Sequence, residues 1–201
     1  MADSRVAIVD CGGANIASLT NALQRLGVST TLTTDARTIR NASHVILPGV
    51  GAAANAMQKI ENSGLSEVIT GLEQPVLGIC LGMQLLARSS AEDDVQCLGV
   101  IPGEVEKLQA SPQAPVPNMG WCQVEQTAPN PLFANIDDGS YFYFVHSFAL
   151  PTGKHTIATA RHSAAFTAVF AYRNFYAAQF HPERSAAAGA LFLRNFLEVA
   201  A

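Results

Sequence analysis

Short apolar runs alternate with stretches of helical periodicity through the first half of the chain. VAIV (6–9), HVIL (44–47) and VLGI (76–79) are apolar at nearly every position and read as strands buried on both faces. Between them, residues 15–26 place apolar side chains at helical spacing and are closed by Gly27. A second such stretch covers 52–61 and a shorter one 65–72. Strands separated by helices of this length need crossover connections, so they should lie parallel in a sheet with helices on both faces. After Leu98 the pattern changes to strand-like runs, WCQVEQ, YFYFV, TIATA, FTAVF and FYAAQF, separated by turn residues. They predict an antiparallel extension of the same α/β unit. A last helix is expected over 186–198, and QASPQAPVPN is Pro-rich enough for an exposed loop. With no internal repeat and no linker, residues 1–201 are expected to form one doubly wound, mostly parallel α/β domain.

Composition narrows the function classes. Charged residues make up 14% of the chain, and the formal net charge of −4 comes without a clustered basic stripe. Nucleic-acid affinity rests on displacing counterions with basic side chains, so no electrostatic footprint for it is present. No apolar run reaches the roughly eighteen residues of a membrane helix, and MADSRVAIVD lacks the pattern of a secretory signal. The cytoplasm is the expected location. Cys11, Cys80, Cys97 and Cys122 are scattered without a CxxC pair, which suggests neither a zinc site nor a redox dithiol.

One cysteine stands apart. In GICLG (78–82) Cys80 falls where VLGI ends and a helix should begin. At the carboxyl edge of a parallel sheet, loops leave a crevice into which helix N-termini point. The G-x-nucleophile-x-G pattern holds a reactive side chain on a strained strand-to-helix turn, and its usual nucleophile is serine. Here a thiol would be favoured as thiolate by the helix N-terminus, and the N–H of Leu81 can meet a developing oxyanion. A buried structural cysteine explains the same pattern, and GICLG by itself leaves the two readings evenly balanced. The glycine-rich turn Pro48-Gly49-Val50-Gly51 follows HVIL to the same edge; the Val50 N–H can complete an oxyanion hole, or the turn can serve topology alone.

A thiol nucleophile requires a base. In QFHPER (179–184), Pro182 favours an extended conformation at His181, so that His181 and Glu183 can project to one side. Glu183 would then orient the imidazole and stabilise its cation. His146, at the end of YFYFV, is the main competitor, but Phe148 and not a carboxylate stands two residues on. His44, His155 and His162 read as solvated or core-satisfied, and Cys11, Cys97 and Cys122 as packing residues.

GICLGMQ followed about a hundred residues later by QFHPERS resembles the class I, triad-type glutamine amidotransferases, a flavodoxin-like fold family. DCGGANIASL, PGVGA, VPNMGWC and YFYFVHSF extend the likeness over essentially the whole chain, closest to members that serve histidine biosynthesis. The resemblance implies that Cys80 attacks the carboxamide of L-glutamine, that His181 is the base and Glu183 its orienting acid, and that a glutamyl thioester is hydrolysed to glutamate. It further implies that Gly49, Val50, Gly51, Leu81 and Gly82 surround the oxyanion, that Gln84 contacts glutamine, and that His146-Ser147-Phe148 binds its amino-acid end. No metal or organic cofactor is implied.

The implied partner is a separate (β/α)₈-barrel cyclase (synthase) subunit, joined as a heterodimer and receiving ammonia through a channel. Such a barrel needs roughly 250 residues, more than this chain holds. Asn15, Asn118, Met119 and Trp121 match partner-facing motifs of the family. The chain departs from the usual pattern at Asn118, where His is common, at Cys122, where Asn is common, and at Ala53, where Phe is common. Amidotransferase subunits of anthranilate or aminodeoxychorismate synthesis are the nearest alternatives, against which MGWC and FVHSF speak. A catalytically silent regulatory subunit is a third reading, against which the intact Cys80, His181 and Glu183 speak.

Overall fold

The computed structural model describes residues 5–12 and 16–200. Its elements in chain order begin with β1 (Arg5–Val9), α1 (Ile16–Arg25), β2 (Ser29–Thr33), α2 (Ala36–Arg40), β3 (His44–Leu47), α3 (Ala53–Asn62), α4 (Ser66–Thr70), β4 (Val76–Ile79) and α5 (Leu81–Leu85). They continue with β5 (Ser89–Ser90), β6 (Val95–Gln96), β7 (Glu104–Lys107), β8 (Asn118–Gln126), β9 (Tyr141–His146), β10 (Phe148–Ala149), β11 (Thr156–Arg161), β12 (Ala165–Tyr172), β13 (Phe175–Ala178) and α6 (Ala186–Leu197).

Among the described residues nine strands form the main sheet, in the order β2-β1-β3-β4-β13-β12-β11-β8-β9. The pairs from β2 through β13 are parallel, and those from β13 to β9 antiparallel. The alternation of side chains along each strand sorts the core into two layers. Val6, Ile8, Ile46 and Leu77 pack with Leu19 and Leu23 of α1 and Phe192 and Phe196 of α6. Ala7, Val9, Val45, Leu47 and Val76 pack with residues of α2, α3, α4 and α5 on the other face. A doubly wound α/β sheet with an antiparallel extension is therefore the observed architecture.

Three expectations need correction. FYAAQF was expected in the antiparallel run; β13 is antiparallel to β12 on one side, but on the other it lies parallel to β4, with Ala178 opposite Ile79. Periodicity reports which faces are buried and is blind to strand direction. This pairing decides the site, because the carboxyl ends of β4 and β13 finish side by side. Second, β8 starts at Asn118, three residues before WCQVEQ, so the end of the Pro-rich loop belongs to the sheet. Third, β10, β7, β5 and β6 form a separate small sheet. Its segments of two to four residues, such as SS and EVEK, are too short and too polar to show a period. Among the described residues no helix is long and apolar enough to cross a membrane.

Candidate active site

Cys80 occupies the turn between β4 and α5 with φ 53° and ψ −110°, a conformation that costs a side-chain-bearing residue energy and persists only where the surroundings enforce it. The enforcement is visible on both sides. Its N–H donates to Ala178 O at 2.8 Å, tying the turn to β13, and its carbonyl accepts from Met83 N at 3.0 Å. The flanking glycines are required by close approach: a Cβ on Gly78 would lie 2.8 Å from Gly82 O, and one on Gly82 would overlap Leu47 O. Gly82 thus packs behind the elbow, against β3. A Cβ on Gly49 would lie 2.8 Å from Leu81 Cβ, so the turn after β3 is pressed against the start of α5.

Cys80 is 7% exposed and lies in a cavity of about 290 Å³. Val50, Gly51, Leu81, Gln84, Ser147 and Phe148 line it, as do His146 and His181. Among the described residues, the N–H groups of Val50, Gly51 and Leu81 donate to no backbone carbonyl. They stand at the turn and at the open first turn of a helix, where unsatisfied donors collect. Gly51 has φ +99°, a left-handed conformation that glycine adopts without penalty.

The exit of β13 brings His181 to the same cavity. His181 is extended at φ −98° and ψ 96°, and Pro182–Arg184 then make one 3₁₀ turn. The turn carries Glu183 back, so that its Oε1 lies 2.9 Å from His181 Nδ1. The pairing anticipated from the i, i+2 spacing is present, made by the turn and not by a continued strand. Phe180, fully buried between Gln179 and His181 in sequence, stacks on Phe142 at 4.1 Å and meets Phe192 edge-on at 5.1 Å. Burial of one such ring contributes about 2 kcal/mol, which anchors the chain next to the imidazole. Ser185 adds a clamp: its hydroxyl donates to His181 O at 2.7 Å and accepts from Tyr143 N at 2.9 Å, while His181 N donates to Tyr143 O at 2.9 Å. Although β9 is last in the sheet order, these bonds hold it against this loop.

Burial works against a charge on His181, but its interactions with Cys80 and Glu183 outweigh it and raise the imidazole to about 10. Its Nε2 is buried and meets no hydrogen-bond partner among the described residues, on a ring that lines the cavity beside Cys80. His146 is different. Its Nδ1 lies 2.8 Å from Phe148 O and its Nε2 3.0 Å from Asn118 Nδ2, so both ring nitrogens are engaged. Burial, joined by the charges of His162 and His181, lowers it to about 4 against the pull of the Phe148 carbonyl. A neutral ring with no open nitrogen is a wall of the cavity and no base.

The other histidines and cysteines lie elsewhere: His44 Nε2 meets Val199 O at 3.1 Å, His162 Nε2 meets Pro115 O at 2.8 Å, and His155 packs on Tyr172. Burial pushes Cys11 up to about 12 and Cys97 up to about 11. Among the described residues no group of three or more His, Cys, Asp or Glu side chains could hold a metal ion.

Of the residues expected at a partner surface, Asn15 lies outside the described residues. Met119 and Trp121 are 65% and 51% exposed, beside Tyr141 at 54% on the neighbouring strand. Trp121 meets Tyr143 edge-on at 6.1 Å, and the Arg184 guanidinium lies 4.6 Å over the Tyr143 ring. Asn118 does not belong to that surface. It is 3% exposed, since alternation along β8 turns it inward, away from Met119 and Trp121.

Two further residues join the site without having been singled out. Gln179 is fully buried, and its Nε2 lies 3.7 Å from Cys80 Sγ while its Oε1 accepts from Gln84 Nε2 at 3.0 Å. Its place in QFHPER, one strand step before Phe180, was the available signal. Glu92 lines the cavity, and its Oε2 accepts from Ala53 N at 2.9 Å at the start of α3. In AEDD it looks like any solvated acidic loop, and no local pattern marks it.

The chain matches the family described as glutamine amidotransferase class-I over residues 7–200. It is 46% identical to "Imidazole glycerol phosphate synthase subunit HisH 1" of Vibrio vulnificus, over 99% of this chain and 100% of that one. It is 49% identical to a HisH 2 subunit of Legionella pneumophila, covering 96% and 98% of the two chains. A solved structure of a putative GMP synthase component from Thermoplasma acidophilum superposes with a TM-score of 0.76 at 22% identity, over 98% of this chain and 94% of that one, a likeness of fold. By its full-length match and its close full-length relatives, the chain belongs to the class-I glutamine amidotransferase family.

Proposed function

We propose that this chain is the glutaminase subunit of an imidazole glycerol phosphate synthase, hydrolysing L-glutamine to glutamate and ammonia. The observation that carries the reading is the elbow: a thiol held at φ 53° in the cavity that also receives the raised imidazole of His181, itself paired with Glu183. The names of the full-length relatives support the pathway.

With its proton passed to His181, Cys80 Sγ attacks the side-chain carbonyl carbon of glutamine. The developing oxyanion takes N–H donors from Leu81 and from the Val50–Gly51 turn, interactions that strengthen as charge builds. The C–N bond breaks as His181 Nε2 gives its proton to the departing nitrogen, which leaves as ammonia. His181, now neutral, takes a proton from water, whose oxygen attacks the glutamyl thioester, and the thiolate departs. Glu183 holds the tautomer with Nε2 toward the cavity and stabilises the cation. Gln84 and residues 146–148 receive the amino-acid end, where Glu92 offers a carboxylate to an ammonium.

Ammonia then passes to a separate (β/α)₈-barrel cyclase subunit, which forms imidazole glycerol phosphate and aminoimidazole carboxamide ribotide. The exposed Met119, Trp121 and Tyr141, continued by Tyr143 and Arg184, make an apolar patch of the kind that marks an interface. The heterodimer works in the cytoplasm, as one domain of this chain against the barrel. The test is to mix the chain with candidate synthase subunits and measure glutamate and product. Stimulation by the histidine-pathway cyclase is expected, with low turnover in the chain alone and binding weakened about tenfold or more by Trp121→Ala. Glutamine hydrolysis driven only by a chorismate-using synthase would assign the chain to that pathway instead.

A further inference from the structure

The inward face of β8 carries two polar side chains with no part in the steps above, Asn118 and Cys122. Their contacts run in one direction. The Phe148 carbonyl can only accept, so His146 Nδ1, 2.8 Å away, carries the ring proton. His146 Nε2 is then a lone pair, and the Asn118 amide 3.0 Å away must present its NH₂. That turns Asn118 Oδ1 to the other side, where the Cys122 thiol donates to it at 3.6 Å. Each assignment forces the next.

The chain of contacts ends at the cavity wall. The Phe148 carbonyl accepts a second hydrogen bond, from Gln84 Nε2 at 2.9 Å, and the same nitrogen reaches Gln179 Oε1 at 3.0 Å. A carbonyl oxygen has two lone pairs, so this one is filled within the protein and fixed from both sides. His146 stays neutral because it is buried and because His162 and His181 add like charge nearby.

We propose that Asn118 is a positioning residue for the amino-acid end of the substrate cavity. By donating to the lone pair that the Phe148 carbonyl leaves on Nε2, it locks the His146 ring in place as the Nδ1–H tautomer, and His146 with Gln84 then holds the Ser147–Phe148 wall in a single geometry. The identity of the substrate rests on the glutaminase reading; the tautomer does not. Asparagine suits this place because its amide gives a proton to one neighbour and accepts one from the other. An aspartate of the same shape can only accept, and would draw a proton onto Nε2.

The test combines ¹⁵N-histidine NMR of the full chain with calorimetric binding of L-glutamine to the Cys80→Ala protein, which cannot form the thioester. His146→Gln identifies the His146 signals. The parent is expected to show His146 as Nδ1–H at pH 7, and Asn118→Asp to protonate Nε2 and weaken glutamine about tenfold, the cost of one or two misplaced hydrogen bonds. Asn118→His, which restores a ring N–H donor, should return affinity to within about threefold. Unchanged His44 and His162 signals report an intact fold, and should the carboxylate disturb it, neutral Asn118→Leu carries the same expectation for affinity. An Nε2–H tautomer in the parent, or unaltered glutamine affinity in the folded variants, overturns the proposal. A parent that binds no glutamine refutes the glutaminase reading, and the shift of the His146 proton in Asn118→Asp, or its absence, then still decides whether Asn118 fixes His146.

Discussion

His181 and His146 are buried alike, at 3% and 6% exposed, and both line the same cavity, yet their surroundings drive them apart. Nδ1 of His181 meets the carboxylate of Glu183, while Nδ1 of His146 meets the neutral Phe148 carbonyl. Nε2 of His181 meets no hydrogen-bond partner among the described residues, while Nε2 of His146 is taken by Asn118. Burial lowers both imidazoles, and only the one facing Cys80 and Glu183 overcomes it, while the neighbours of His146 carry like charge: His181 rises to about 10 and His146 falls to about 4. The lesson is that burial and location do not make a base. A paired carboxylate and an unoccupied second nitrogen do.

Mutation of the rings themselves should separate the two histidines most widely. His181→Asn is expected to lower glutamine turnover about 10³-fold or more, since it removes both proton transfers. His146→Gln is expected to leave kcat within about fivefold while raising KM for glutamine. Steady-state kinetics with the cyclase present checks both, and equal losses of kcat would mean that the two rings share one role. Glu183→Gln keeps the shape and removes the charge. Turnover should fall about 10²-fold, and the His181 titration followed by ¹⁵N NMR should move down from about 10. A titration unmoved by this change would show that Glu183 is not what charges the ring.

The smallest expected effect lies in stability against pH. A raised folded-state value makes the contribution of His181 complete below the ordinary 6.5 and lost as pH climbs through about 10. The lowered value of His146 has the opposite sign: its contribution is complete above 6.5 and lost as pH falls toward about 4. Denaturant unfolding from pH 7 to pH 5 should therefore lose less stability in His146→Gln than in the parent. A steeper loss in the variant would reverse the assignment.

Much of this contrast was legible in sequence, and the reasons differ by element. VLGI and GICLG announce a buried strand ending in a turn with small neighbours, and the structure shows what the glycines are for, since Gly78 and Gly82 nearly touch. HPE spacing gave the His181–Glu183 pair because the contact is local. What sequence patterns could not supply were contacts made across the fold. The parallel pairing of β13 with β4 puts Gln179 and His181 beside Cys80, and neither strand's periodicity encodes its direction. Asn118 looked like part of an exposed motif, and only the β8–β9 register, which sets it opposite His146, shows it turned inward. Glu92 reaches the site from an acidic loop whose composition is that of any surface loop.

The most direct test of the account replaces the thiol and supplies nitrogen in two forms. In the complex with the cyclase, Cys80→Ala should abolish product formation from glutamine while leaving formation from ammonium salts at the parent's rate, because only the nucleophile at the elbow is lost and the docking surface of β8 and β9 is untouched. Glutamine-dependent turnover that survives this change would remove Cys80, and with it the elbow, from the chemistry.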